Sequence, residues 1–323
     1  MTALLSFFAL PAQASNDARF SEQWSLQKIG APTAWASSTG AGVRIGIVDT
    51  GVDLNHEDLS GKVVADTSCV GSKGDPAKCS GSGQDDQGHG THVSGIAAAA
   101  KDNQVGIAGV APDAQLVVAK VLSAAGSGST DDINAGIRWV VDHGARVVNL
   151  SLGDPNFFIT TLEGTPLSNG IEYAWAHGAI PVVASGNTNP GGLGLLGSSD
   201  YGSMNAVVVG ATGPSDEVAS YSSPLGNAKW SIMAPGGVGG GTPDRDILSS
   251  IWRQGARNQY AALAGTSMAA PHVTGALALL LGEGYGQQGA VDRLLGTADH
   301  SVACGPNSPT CAGRLDVARA TAH

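Results

Sequence analysis

Val43-Arg44-Ile45-Gly46-Ile47-Val48-Asp49-Thr50-Gly51 decides the fold class of this chain. The apolar run is short, bounded by a turn signal, and reads as a strand buried on both faces. Asp49 falls at the carboxyl end of that strand, and Gly51 supplies the turn. Similar Val/Ile/Leu/Ala runs recur at 62–65, 116–121, 146–150, 180–184 and 206–211. Helix-like segments lie at 91–100, 131–143, 168–177 and 267–282, with Asp131 and Asp132 suiting the positive end of the second. Strand–helix alternation implies an α/β fold, a mostly parallel central sheet with helices on both faces. Ligands of such sheets bind outside the carboxyl ends of the strands. Asp49 and Asn187 each follow a strand end, so both belong on that rim. No linker or repeat interrupts the pattern, and residues 16–323 read as one domain with flexible loops at 191–202 and 236–242.

Composition bounds the function. The 323 residues are 42% hydrophobic, ample for a sizeable core. Charged residues make up 14% and glycines number 47, so tight turns are many. The net charge of -10, without Lys/Arg clusters, argues against a nucleic-acid partner. Residues 1–15 hold a short apolar run, 4–10, then Ala12-Gln13-Ala14, the small-x-small form of a secretory cleavage site, although Met1-Thr2 supplies no basic residue. No other run is long and apolar enough to span a membrane. Cys69, Cys79, Cys304 and Cys311 allow three connectivities. Local pairing, Cys69–Cys79 and Cys304–Cys311, is the simplest, since short loops close at little entropic cost. Buried thiols in a reducing compartment are the alternative, and the absence of Cys-x-x-Cys spacing argues against zinc. The even count and the signal-like start favour secretion.

Gly265-Thr266-Ser267-Met268-Ala269-Ala270-Pro271-His272 precedes an apolar run and reads as a turn feeding a serine into a buried helix. A hydroxyl there lies beside unpaired N–H groups and the positive end of the helix dipole. Alone, Ser267 is equally an ordinary helix cap. Partners decide between the two readings. Asp49 ends a strand, and His89 opens His89-Gly90-Thr91-His92-Val93-Ser94-Gly95-Ile96, a loop entering an Ala-rich helix. Each of the three sits at a junction between regular elements, where side chains converge.

Asp49-Thr50-Gly51, His89-Gly90-Thr91-His92 and Gly265-Thr266-Ser267-Met268-Ala269, in that chain order, resemble the subtilisin family of serine proteases. The resemblance runs from about Asn16 to the C-terminus. It implies a subtilisin-like sheet and peptide-bond hydrolysis with Ser267 as nucleophile, His89 as base and Asp49 as the group that orients the base. Val182-Val183-Ala184-Ser185-Gly186-Asn187 matches a fourth family motif. By resemblance, Asn187 and the Ser267 N–H form the oxyanion hole, with Thr266 as a weaker donor. Loss of such an Asn in subtilisin itself costs about 3–4 kcal/mol of barrier. His92 and His272 then read as packing residues.

By the same resemblance, Ser151, Leu152 and Gly153 pair with an extended substrate, while Ala184 and Gly186 form the opposite pocket wall. Pairing of this kind reads backbone more than side chains, so broad specificity follows. Asp154 stands where the family usually has Gly and reads as a solvated residue or as one that favours basic side chains. Structural calcium is implied, with Asp17, Asp58 and Asn103 as side-chain ligands and carbonyls near Lys101, Val105 and Ile107. Secreted members usually carry a folding propeptide, so residues 1–323 alone are expected to fold slowly. The expected protein is a secreted monomer acting on polypeptides, with no nucleic-acid partner and no membrane once mature. Two other readings use the same residues: an esterase or amidase with the same triad, and a non-catalytic peptide-binding scaffold.

Overall fold

The computed structural model describes residues 15–152, 167–187 and 202–323. Its strands are β1 (Arg44–Asp49), β2 (Val63–Ser68), β3 (Gln115–Lys120), β4 (Val147–Leu150) and β5 (Ile180–Ala184). They continue as β6 (Val207–Thr212), β7 (Trp230–Pro235), β8 (Ile247–Ile251), β9 (Gln259–Leu263) and β10 (Cys311–Arg314). The helices are α1 (Trp24–Lys28), α2 (Ala31–Ala34), α3 (His89–Ala98) and α4 (Thr130–Asp142). After them come α5 (Ser168–Ala176), α6 (Thr266–Gly282), α7 (Gln287–Gly296) and α8 (Val317–Ala320).

Among the described residues, eight strands form one sheet in the order β10-β7-β6-β5-β4-β1-β3-β2. Every pairing within it is parallel, whereas β8 and β9 form a separate antiparallel hairpin. The chain lays β2 and β3 on one side of β1 and β4 on the other. The winding therefore reverses at β1 and opens a crevice beyond its carboxyl end, where Asp49 stands.

Alternation along β1 supplies two cores. Ile45 and Ile47 pack with Val93 and Ile96 of α3 and with Met268, Val273 and Leu277 of α6. Val48 packs on the other face with Ile133, Ile137 and Val140 of α4 and Ile171 of α5. Gly46 faces α4 so closely that a Cβ there would lie 2.8 Å from Val140 Cγ2. Helix α6 is buried through almost its whole length, which suits its nearly all-apolar circumference. No described helix is long and apolar enough to cross a membrane.

The parallel sheet with helices on both faces is the expected architecture. Boundaries differ modestly: β2 begins at Val63 and runs on to Ser68, because an edge strand with one neighbour tolerates Asp66 and Thr67. Strands β7 to β10 and helix α7 lie beyond the apolar runs noted above. The loop 236–242 is present but fastened: the buried Asp246 carboxylate accepts the N–H groups of Val238 (3.1 Å), Gly239 (2.7 Å) and Gly241 (2.6 Å). Of the loop expected at 191–202, all but Gly202 lies outside the described residues.

Candidate active site

Three junctions at the carboxyl rim of the sheet carry the site. Asp49 ends β1, has no exposed surface, and accepts the Thr50 N–H on Oδ1 at 2.7 Å. His89 opens α3, and its Nδ1 lies 2.8 Å from the same oxygen. A carboxylate only accepts, so Nδ1 carries the proton and donates it. Asp49 Oδ2 is buried without a hydrogen-bond partner among the described residues. Such a carboxylate gains strongly when the imidazole beside it becomes charged.

The approach of α3 to β1 depends on Gly90, where a Cβ would stand 2.1 Å from the Gly51 carbonyl oxygen and 3.1 Å from Asp49 Cβ. Asp85, nearly fully buried, organises both sides of that contact. Its Oδ1 accepts the Thr50 hydroxyl (2.9 Å) and the N–H groups of Gln87 (3.0 Å) and Gly88 (2.9 Å). Its Oδ2 accepts the N–H (3.0 Å) and hydroxyl (2.5 Å) of Thr91. The buried Lys120 ammonium completes the floor, donating to Thr50 O (2.8 Å), Leu122 O (2.7 Å) and Asp86 Oδ1 (2.6 Å). Sequence reasoning passed over both residues. An Asp a few positions ahead of a helix start is a capping signal, and a Lys closing an apolar strand invites a search for partners.

Ser267 lies in the first turn of α6, nearly buried, and its Oγ donates to the Ser151 carbonyl at 3.2 Å. Asn187 follows β5, and its Oδ1 accepts both the N–H and the hydroxyl of Thr266 at 3.0 Å. Two donors on one oxygen fix the amide orientation. Nδ2 accordingly lies beside the turn before Ser267, 3.4 Å from where a Gly265 Cβ would be. The Thr266 hydroxyl has one proton and gives it to Asn187, while it accepts the Gly186 N–H at 3.2 Å. In this structure the Thr266 hydroxyl therefore supports the Asn187 amide.

Ser151 and Leu152 continue from the end of β4, both buried. Gly153 and Asp154 lie outside the described residues. Ala184 ends β5 within the core, and Gly186 follows it on the rim. His92 and His272 are fully buried, and burial pushes them down to about 3 and about 4. His92 Nε2 donates to Ala261 O, and His272 Nδ1 donates to Met268 O. Both are neutral packing residues. The disulfides Cys69–Cys79 and Cys304–Cys311 are formed, in the local pairing.

The sequence model of the subtilase family matches residues 40–294. The chain belongs to the subtilase family. This subtilase is 38% identical to thermitase of Thermoactinomyces vulgaris over 285 residues, 88% of this chain and 91% of that one. It is likewise 38% identical to subtilisin Savinase of Lederbergia lenta, over 80% of this chain and 83% of that one. A solved protease of Pseudoalteromonas arctica PAMC 21717 superposes with a TM-score of 0.77 at 27% identity, covering 95% of this chain and 98% of its own. The protein is a subtilisin-like serine endopeptidase.

Members of the family imply calcium, so the residues of this subtilase matter. The loop Lys101 to Ile107 gathers Asp17, Asp58 and Asn103. Asp17 accepts the N–H groups of Asn103 (2.9 Å) and Asp102 (3.1 Å). Asp58 accepts Asn103 Nδ2 (2.9 Å), the Ile107 N–H (3.0 Å) and the Tyr260 hydroxyl (2.7 Å). The Val105 N–H donates to Asn103 Oδ1 at 3.0 Å. Among the described residues, no cluster of three or more His, Cys, Asp or Glu has metal-holding spacing. A hard cation does not need one, because amide and carbonyl oxygens also serve it. The side-chain oxygens of Asp17, Asp58 and Asn103 suit such a cation, and burial raises the Asp58 carboxyl, a penalty that a nearby positive charge offsets.

Proposed function

We propose that this subtilase is a secreted endopeptidase of broad specificity that works through an acyl-enzyme on Ser267. The observation that carries the reading is the 2.8 Å bond from His89 Nδ1 to Asp49 Oδ1. With Nδ1–H committed to the carboxylate, the imidazole keeps its basic Nε2 for the Ser267 hydroxyl proton. Ser267 Oγ attacks the scissile carbonyl as that proton leaves. The tetrahedral oxyanion takes hydrogen bonds from Asn187 Nδ2 and from the Ser267 N–H at the start of α6. The buried Asp49 stabilises the imidazolium, which then protonates the leaving amine. Water, deprotonated by His89, attacks the acyl-enzyme and releases the acid.

Substrate runs in extended form along Ser151, Leu152 and Gly153, opposite Ala184 and Gly186. Backbone pairing leaves side-chain selection loose, which is the basis for broad specificity. Asp17, Asp58 and Asn103, with the Val105 and Ile107 carbonyls, would hold a calcium ion. Bound there, it supplies stability by mass action and takes no part in the chemistry. The two disulfides and the signal-like run at residues 4–14 support export.

The test is casein hydrolysis by the folded protein, abolished by a serine-directed inactivator and by Ser267→Ala. Matched peptide and ester substrates divide peptidase from esterase, since the oxyanion donors do not require an amide. Correctly folded protein that turns over neither substrate sinks the reading.

A further inference from the structure

Pro271 lies inside α6, four residues after Ser267. In a helix the carbonyl of residue i accepts the N–H of residue i+4. Proline has no N–H, so the Ser267 carbonyl is deprived of the donor that a regular helix would give it. That carbonyl belongs to the candidate nucleophile, and a buried carbonyl left without a donor destabilises the fold. The Ser151 hydroxyl fills the gap, donating to Ser267 O at 2.9 Å. The contact is reciprocal, because Ser267 Oγ donates to Ser151 O at 3.2 Å.

The Ser151 hydroxyl is itself held. Asn149 Nδ2 donates to Ser151 Oγ at 2.9 Å, and Thr274 Oγ1 donates to Asn149 Oδ1 at 2.9 Å. Asn149 and Thr274 have no exposed surface, and Ser151 is 1% exposed. Asn149 lies in β4, between Ile47 of β1 and Val182 of β5. A polar residue in the central strand of an apolar sheet must be matched by hydrogen bonds. Here its matching runs from one turn of α6 through β4 and back to another turn of the same helix. Every hydroxyl along the way donates in the same direction, from Thr274 through Asn149 and Ser151 to Ser267 O.

We propose that Thr274, Asn149 and the Ser151 side chain form a positioning relay that substitutes for the N–H missing at Pro271 and holds the Ser267 peptide in register for attack. The relay makes all its side-chain hydrogen bonds within the protein, apart from the substrate proposed to run along the Ser151 backbone. It anchors the carbonyl of the residue whose N–H is the proposed oxyanion donor and whose side chain carries Oγ. This assignment rests on the endopeptidase reading above and adds to it a role for a side chain so far credited only with its backbone.

The experiment is a double-mutant cycle on the calcium-loaded full chain. Ser151→Ala is expected to lower kcat about tenfold with KM little changed, and to slow inactivation by a sulfonyl fluoride in parallel. Pro271→Ala returns an N–H to the Ser267 carbonyl, so in that background Ser151→Ala should have an effect below about threefold. Thr274→Val should lower kcat about threefold, KM unchanged, even where a Pro271 variant unfolds. An unchanged kcat and inactivation rate in Ser151→Ala, or an equal loss with and without Pro271, overturns the relay. So does a fall in thermal midpoint with no change in kcat for Thr274→Val. The inactivation rate reads Ser267 without any substrate. A parent protein that fails on casein therefore removes the proposed function, while the inactivation rates of the variants still decide the relay.

Discussion

Gly90 lies against Gly51 so closely that a Cβ on Gly90 would stand 2.1 Å from the Gly51 carbonyl oxygen. That contact joins the start of α3 to the turn after β1, and it brings His89 to Asp49. A side chain at residue 90 cannot be absorbed by rotating a flexible neighbour, because the obstacle is backbone. Gly90→Ala is expected to cost about 3 kcal/mol in stability and to move His89 off Asp49. Urea unfolding and kcat measured together should both fall. Wild-type kcat in a folded variant would refute the argument.

Asp85 has five short contacts to donors from both sides of the same junction. Asp85→Asn turns one acceptor into an NH2 group facing those donors. The expected result is a loss of about 2–4 kcal/mol and a drop in kcat, because Thr50 and Gly88 flank the two residues whose bond orients the proposed base. Chemical denaturation and active-site titration check the two halves separately. Unaltered stability would show that the donors find other acceptors.

Much of this site is legible in the chain because its parts sit where central parallel strands end. An apolar run closed by Asp49-Thr50-Gly51 announces both the strand and the rim residue. The rest escapes for physical reasons. Strand β7 is fully buried, yet its Ser231 and Pro235 break the apolar run that would mark it. Asp85 works by accepting N–H groups, and nothing in its neighbours' identities reports that. The Ser151 hydroxyl has its role only because Pro271 removed a donor from Ser267, a residue 116 positions away in the chain. Contacts of that kind belong to tertiary structure and leave no periodicity behind.

The buried histidines weaken the fold in acid. His92 and His272 are held down to about 3 and about 4 by burial, whereas unfolded each titrates near its ordinary value of about 6.5. Between these values the unfolded chain binds more protons, so stability rises with pH. The contribution is whole above about 6.5 and is lost as pH falls towards 4, by about 1.4 kcal/mol per pH unit for each histidine. The Asp58 and Glu283 carboxyls, raised by burial, work in the opposite sense. Comparison with a variant therefore isolates the histidine part. His272→Gln should flatten the slope of unfolding free energy between about pH 6.5 and 4.5 by roughly half of the histidine contribution. An unchanged slope would mean that His272 is protonated in the fold.

Calcium should act on stability alone. At a free concentration about a thousandfold above the dissociation constant, one site adds about 4 kcal/mol. Chelation is expected to lower the thermal midpoint of the parent protein. It should have much less effect in Asp58→Asn, which removes a charged oxygen from the proposed ligand set. Isothermal titration with calcium alone checks the same site directly. Equal sensitivity to chelator in both proteins would move the ion elsewhere.

Asn187 has two separable duties. Its Oδ1 accepts two bonds from Thr266, and its Nδ2 is the proposed oxyanion donor. Asn187→Ala removes both, leaving the Thr266 N–H and hydroxyl without their acceptor, so stability and kcat should fall together. Asn187→Asp keeps an acceptor for Thr266 but replaces the donor with an oxygen that repels the developing oxyanion. It should retain the thermal midpoint while kcat falls at least about a hundredfold, with KM little changed, the range that loss of such a donor produces in subtilisin itself. A fall in kcat that tracked stability across the two variants would make Asn187 a support for the turn and assign the oxyanion to other donors.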